Sequence, residues 1–266
     1  MHSIKIDENH IRTDLLLEEK PNFYDSFYSK NNIKVYRSKF NKYNYTTISF
    51  LDITDKDEYN DLEDIFINEI NNFLNLNDND IVLIVGLGND KSTPDSLGPL
   101  VVDEVIATRY LYLISDVDCN FSNVSKIAPN VMGNTGIDSI NIIKSIISDI
   151  HATKVIVIDS LKSSSVDRLL HTIQITDSGI HPGSGINNDR GELSSNTVSS
   201  SVISIGVPTV VDVKTIVEDL IEEKVQMKNN FIVTPTNIDF LIEKLSKLIG
   251  EGINISLHKD FIRQKK

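Results

Sequence analysis

The sequence predicts an α/β protein: a mainly parallel sheet with helices on both faces, plus a small N-terminal β/α addition. Two stretches carry that prediction. Ile81 to Val85 and Lys154 to Ile158 are short, largely apolar runs of the kind found in strands covered on both faces. The third observation is that such runs alternate with segments of helical spacing, the pattern that buries a parallel sheet between helices. The first run breaks at Gly86 and Gly88 and leads into a loop carrying Asp95; the second ends at Asp159. In open α/β sheets reacting groups sit past the carboxyl ends of the strands. Asp95 and Asp159 therefore hold the positions where chemistry is expected.

Taken in order, Met1 to His10 is polar and terminal, which predicts a disordered or removable segment. Ile33 to Tyr36 and Tyr45 to Ile53 have the β-branched and aromatic bias of strands and predict a hairpin. From Glu58 to Leu76, residues Leu62, Ile65, Phe66, Ile70, Phe73 and Leu74 fall on one helical face. Helical spacing resumes over Leu97 to Tyr112 and Ile137 to Ile150, and Val210 to Val225 has helical character. Leu170 to Ile175 and Val202 to Val207 are further strand candidates. Ile238, Leu241, Ile242, Leu245, Leu248 and Ile249 mark a last amphipathic helix, with Thr236 as its expected N-cap.

Composition narrows the function classes. The chain has 266 residues, enough for one large α/β domain, and a net charge of −12, which argues against gripping nucleic acid through its phosphates. A single cysteine, Cys119, excludes a disulfide framework and fits a reducing, cytosolic compartment. The polar start lacks signal-peptide character, and no 18-residue apolar run occurs, so no membrane role is expected.

Several motifs are missing. Lys91 follows Gly86-x-Gly88 where a dinucleotide fingerprint needs its third glycine, and no phosphate-loop, G-x-S-x-G or H-E-x-x-H pattern occurs. No cofactor is implied. The loops Pro129 to Gly136 and Ser178 to Asn188 are glycine-rich, and the second holds His181; each fits either a ligand-contacting loop or a surface connection. The serine runs Ser163 to Ser165 and Ser199 to Ser201 read as solvated linker or helix-cap material. What remains is the carboxylate pair. Two acids brought close together cannot both ionise cheaply, so one retains a proton and the pair can serve as acid and base together. The ordinary structural alternative is a helix cap for Asp95 and a strand-end turn for Asp159.

The blocks GLGNDKSTPDSLGPLVV, PNVMGNTGI, VIVIDSL, IQITDSGIHPGSGINN with RGELS, SIGVPTVVD and IVTPTNIDFLIEKLSKLIGEGINISLH, in this order, resemble the germination protease family of spore-forming bacteria. The resemblance runs from about Ile11 to His258. It implies an atypical aspartic endopeptidase, with a core like that of hydrogenase maturation proteases, acting on small acid-soluble proteins that coat spore DNA. The family's catalytic aspartates fall on Asp95 and Asp159. The resemblance further implies a zymogen, a homotetramer and a forespore or spore-core location. It suggests processing near Asp14 and Leu15, which divides the chain into a propeptide-like segment 1–14, an N-terminal β/α addition 15–79 and a catalytic core 80–266.

Departures from the family pattern are compression ahead of the Glu58 helix and, above all, between Asp219 and Phe231, where longer relatives carry an additional segment. An acidic protease cutting acidic-flanked sites needs local positive groups. Lys91, Lys126, Lys162, Arg168 and Arg190 lie in or beside the candidate loops, and Lys126, His181 and Arg190 are the expected substrate-binding residues. Two other readings stay open. In a maturation-type endopeptidase, Asp95, Asp159 and His181 would ligate a divalent ion; a non-catalytic relative would bind acidic spore proteins without cutting them.

Overall fold

The computed structural model describes residues 15–114, 121–180, 193–221, 223, 225–227, 229 and 231–258. After a single helical turn, α1 (Leu16–Glu19), come three antiparallel strands, β1 (Ser26–Lys30), β2 (Ile33–Phe40) and β3 (Tyr43–Ser49), then α2 (Lys56–Leu74). The expected hairpin is β2–β3, and β1, whose residues are all exposed, is an additional edge strand without an apolar pattern to announce it. Asp55 caps α2 by accepting from the amide of Glu58, and left-handed Asn75 ends it.

The remaining elements follow: β4 (Ile81–Gly86), a 3-10 turn Thr93–Asp95, α3 (Leu97–Glu104), α4 (Arg109–Ile114), β5 (Asn123–Ile127), α5 (Met132–Thr135), α6 (Ser139–Ile150), β6 (Lys154–Ser163), β7 (Thr172–Thr176), β8 (Ser201–Asp212), α7 (Val213–Ile221), β9 (Ile232–Val233) and α8 (Ile238–Leu257). All described strands join one sheet, ordered β1-β2-β3-β7-β8-β6-β4-β5, with β9 beside β8. One side of it, β5-β4-β6-β8, is parallel. The other side is antiparallel: β7 runs against both β8 and β3, so β1, β2 and β3 continue the same sheet.

The apolar runs are buried on both faces, as their composition requires. Ile84, Ile156, Ile158, Ile203 and Ile205 pack on one side with α2, α3 and α8, while Leu83, Val85, Val155 and Val157 pack on the other with Ile143 and Ile147 of α6. The sheet therefore lies between two helical layers.

Three local outcomes differ from the sequence expectation. The helical run from Leu97 stops at Glu104 because Asn254, from α8, takes over its end: its side chain accepts from the amide of Ile106 and donates to the carbonyl of Glu104. The N-cap of α8 is Asn237 rather than Thr236, and its side chain makes no capping bond. Strand β6 continues past Asp159 to Ser163, so Asp159 stands within a strand.

Gly98, in the first turn of α3, sits where the layers meet. A Cβ there would lie 2.2 Å from the carbonyl oxygen of Leu87 and 2.8 Å from that of Ile158, so the close approach of helix and sheet requires glycine.

His258 follows α8 and is fully buried, with Nε2 3.3 Å from the carbonyl of Ile106 and Nδ1 without a hydrogen-bond partner. Burial lowers its pKa below the ordinary 6.5, outweighing the opposing bond to Ile106. The unfolded chain then takes up this proton before the folded one does. Folding stability is therefore expected to fall as pH drops below about 6.5, by at most about 1.4 kcal/mol per pH unit from this group. Thermal melts of the wild type and His258→Gln between pH 7.5 and 5.5 check this: the wild type should show the steeper decline.

Candidate active site

The loop carrying Asp95 is closed by its own backbone. Past β4, the amide of Leu87 donates to the carbonyl of Ile158 in β6 at 2.8 Å, tying the chain leaving β4 to the middle of its parallel neighbour. Gly88 turns the chain with φ +114°, a conformation unfavourable for residues with a Cβ. The amide of Asn89 then donates to the carbonyl of Asp95 at 2.8 Å, and the amide of Asp95 donates to that of Ser92 at 2.8 Å. A Cβ on Gly88 would lie 2.0 Å from the carbonyl oxygen of Asp95 and 3.0 Å from its Oδ1. Thr209 of β8 donates its hydroxyl to the carbonyl of Pro94 at 2.6 Å, fixing the turn against a third strand.

Asp159 directly follows Ile158 in β6, opposite Gly206 of β8. It is buried, 7% exposed, and its Oδ1 accepts from the amide of Ser160 at 2.8 Å. Asp95, by contrast, is half-buried. The two acids thus stand on either side of the Leu87–Ile158 junction: Asp159 is the next residue after one partner, and Asp95 packs against the glycine after the other. On the rim, Asn130 donates to Asp90 at 2.9 Å and Asn134 to the side chain of Asn89 at 3.1 Å, drawing the loop before α5 to the same edge.

The profile of the germination protease family matches residues 30–226. A germination protease of Geobacillus sp. (strain WCH70) is 46% identical over 74% of this chain and 72% of its own length. The chain belongs to the germination protease family. A second germination protease, from Clostridium acetobutylicum, is 34% identical over 83% of this chain and 80% of its own. That of Clostridium tetani is 35% identical over 80% and 78%. A solved structure, the [NiFe] hydrogenase maturation protease HycI from Thermococcus kodakarensis, aligns with 70% of this chain and 98% of its own at 14% identity and a TM-score of 0.40.

In this germination protease relative, neither acid has the ordinary role weighed for it: the α3 N-cap is Ser96 and not Asp95, and Asp159 lies inside β6 rather than at its end. The expected substrate-binding residues fare differently. Lys126 lies on β5, where its ammonium donates to the carbonyls of Val102 at 2.8 Å and Asp103 at 3.3 Å, holding the C-terminus of α3. Replacing it with Met is therefore expected to cost about 1 to 2 kcal/mol of stability, measured by urea denaturation. His181, Arg190 and Asp14 fall outside the described residues. Among the described residues, no group of three or more His, Cys, Asp or Glu could hold a metal ion, and no helix is long and apolar enough to cross a membrane.

Leu15, the other expected processing residue, is fully buried, and Leu16 and Leu17 are nearly so. The amide of Leu16 donates to Oε1 of Gln174 at 2.9 Å. The Glu18 carboxylate accepts from the Ser163 hydroxyl, from the Ser164 amide at 2.7 Å and from the Ser164 hydroxyl at 2.9 Å, with Arg168 Nε 3.6 Å away. This corrects the reading of Ser163 to Ser165 as solvated material: Ser163 is fully buried and ends β6. Ser200 is likewise buried, donating to the carbonyl of Ala152. A run of serines carries no signal distinguishing a linker from a carboxylate site; the acid that fills it lies 145 positions earlier. Lys162 pairs with Asp212 at 2.5 Å. A separate cleft of about 440 Å³, lined by residues including Lys144, His151 and Thr153, opens at the amino-terminal edge of β6, away from the two acids.

Proposed function

We propose that this chain is an endopeptidase that initiates degradation of small acid-soluble, DNA-protecting spore proteins during germination, with Asp95 and Asp159 as its acid/base pair. Family membership supports a protease acting in spore germination. The observation that supports the catalytic assignment is the Leu87–Ile158 junction, which joins the loop after β4, carrying Asp95, to β6 one residue before Asp159.

In the proposed reaction, the ionised carboxylate takes a proton from water as the water oxygen attacks the peptide carbonyl. The protonated carboxyl hydrogen-bonds the developing oxyanion and then passes its proton to the leaving amine. The buried setting of Asp159 and the wetter one of Asp95 supply the unlike environments such a division of labour uses. No cofactor enters.

The proposal includes the remaining parts of the resemblance: a zymogen whose segment 1–14 is removed by its own activity near Asp14 and Leu15, a core over 80–266 with an addition over 15–79, substrate contacts by Lys126, His181 and Arg190, a homotetramer, and residence in the forespore or spore core. Incubating the purified chain with a small acid-soluble spore protein and mapping fragments by mass tests the activity. Cleavage at discrete sites, unaffected by chelator, is expected. Intact substrate, or cleavage abolished by chelator and restored by a divalent ion, would overturn the proposed chemistry. N-terminal sequencing of the same incubation should report a new terminus at Leu15.

A further inference from the structure

We infer that Thr209 is a positioning residue for the proposed reaction: it stands at a shift of register in β8 and holds the peptide unit that places Asp95. This rests on the endopeptidase reading above and adds to it the side chain that fixes one of the two acids.

The pairing of β6 with β8 shows how Thr209 is spared for this task. From Lys154 opposite Ser201 the two strands run in step to Leu161 opposite Pro208, after which Lys162 is opposite Val210. Thr209 is the residue passed over. Such an extra residue is uncommon in a parallel pair, and it re-aims a side chain that the regular ladder would direct elsewhere. The pairing of β7 with β8 covers Ser204 to Gly206 and does not reach it. Thr209 is nonetheless only 1% exposed, so its polar atoms need partners inside the protein. Its hydroxyl donates to the carbonyl of Pro94 at 2.6 Å, and its own carbonyl accepts from the Thr234 hydroxyl at 2.9 Å.

The bond to Pro94 falls on the peptide unit that enters Asp95. A peptide is planar, so holding its oxygen and its N–H fixes the whole unit. The Pro94 carbonyl is held by Thr209, and the Asp95 amide donates to the carbonyl of Ser92 at 2.8 Å. The unit leaving Asp95 is held in the same manner: its carbonyl accepts from the amide of Asn89 at 2.8 Å, and the Ser96 amide donates to the carbonyl of Thr93 at 3.2 Å. With both planes fixed, the direction in which the Asp95 side chain leaves the backbone is set. Three of these bonds lie within residues 89–96, and the fourth, from Thr209, ties the turn to the sheet. The same strand runs beside Asp159, which is opposite Gly206, three residues before Thr209. Strand β8 is therefore a common reference for both acids.

The test separates the hydroxyl from the bulk of the side chain. Thr209→Val keeps the volume and deletes the donor, whereas Thr209→Ser keeps the donor and deletes a methyl. In the full chain, Thr209→Val should lower kcat on a small acid-soluble spore protein about thirtyfold with KM within about twofold, because a slightly displaced acid loses rate rather than substrate contacts. Thr209→Ser should keep kcat within about threefold of the wild type. Thr172→Val is the control: the same exchange in β7, at a buried hydroxyl with no hydrogen-bond partner among the described residues, should leave kcat unchanged. Hydrogen exchange gives a readout independent of cleavage. Relative to the amide of Val157 in β6, those of Asn89 and Asp95 should exchange about tenfold faster in Thr209→Val. Unchanged relative exchange at both amides, faster exchange with undiminished kcat, or a larger kcat loss in Thr209→Ser than in Thr209→Val would overturn the proposal. Faster exchange in the turn, in a chain whose wild type cleaves no substrate, would refute the endopeptidase reading while leaving Thr209 as the residue that fixes the turn.

Discussion

Asp95→Asn and Asp159→Asn are each expected to lower kcat/KM on a small acid-soluble spore protein by about a thousandfold or more. Asparagine preserves the volume of each side chain but can neither accept the proton of the attacking water nor return one to the amine. Neither side chain is among the large apolar groups that fill the core, and the backbone bonds that fix the Asp95 loop survive the change. The melting temperature should accordingly stay within a few degrees of the wild type, which separates lost chemistry from lost structure. A folded variant with undiminished cleavage would remove that residue from the mechanism.

Gly88→Ala should damage the same site from the backbone. At φ +114° the added methyl is strained, and its Cβ would stand 2.0 Å from the carbonyl oxygen of Asp95, a main-chain atom that cannot step aside alone. We expect a stability loss of about 3 kcal/mol from strain and displacement. Moving the Asp95 loop by about 1 Å should reduce kcat/KM about a hundredfold. Gly133→Ala is the matched control, because a Cβ there meets nothing within 4 Å. Chemical denaturation and steady-state kinetics on both variants make the comparison; equal behaviour of the two would contradict the packing described around Asp95.

The difference between these glycines illustrates what sequence discloses. Gly86 and Gly88 after Ile81 to Val85 were legible as a turn because a buried strand must stop and the chain must reverse. The same logic expects β6 to stop at Asp159, whereas the strand runs on to Ser163, so an apolar run that turns polar does not by itself mark where a strand ends. Long-range polar capture was not legible. Nothing near Glu104 announces that Asn254 will end its helix, and nothing near Lys126 announces that its ammonium will hold the C-terminus of α3. The direction of β7 was also hidden, since a short apolar strand reads alike whether its neighbours run with it or against it. Glu18 and its serine pocket belong to this class, each polar residue looking solvated until the other arrives.

Asp95 and Asp159 are proposed to act as one unit, and a double-mutant cycle in kcat/KM tests this most directly. With both replaced by Asn, the loss should stay within about tenfold of either single variant, because once one member is gone the other has no partner step to serve. Losses that multiply would show two independent contributions and contradict a shared acid/base pair.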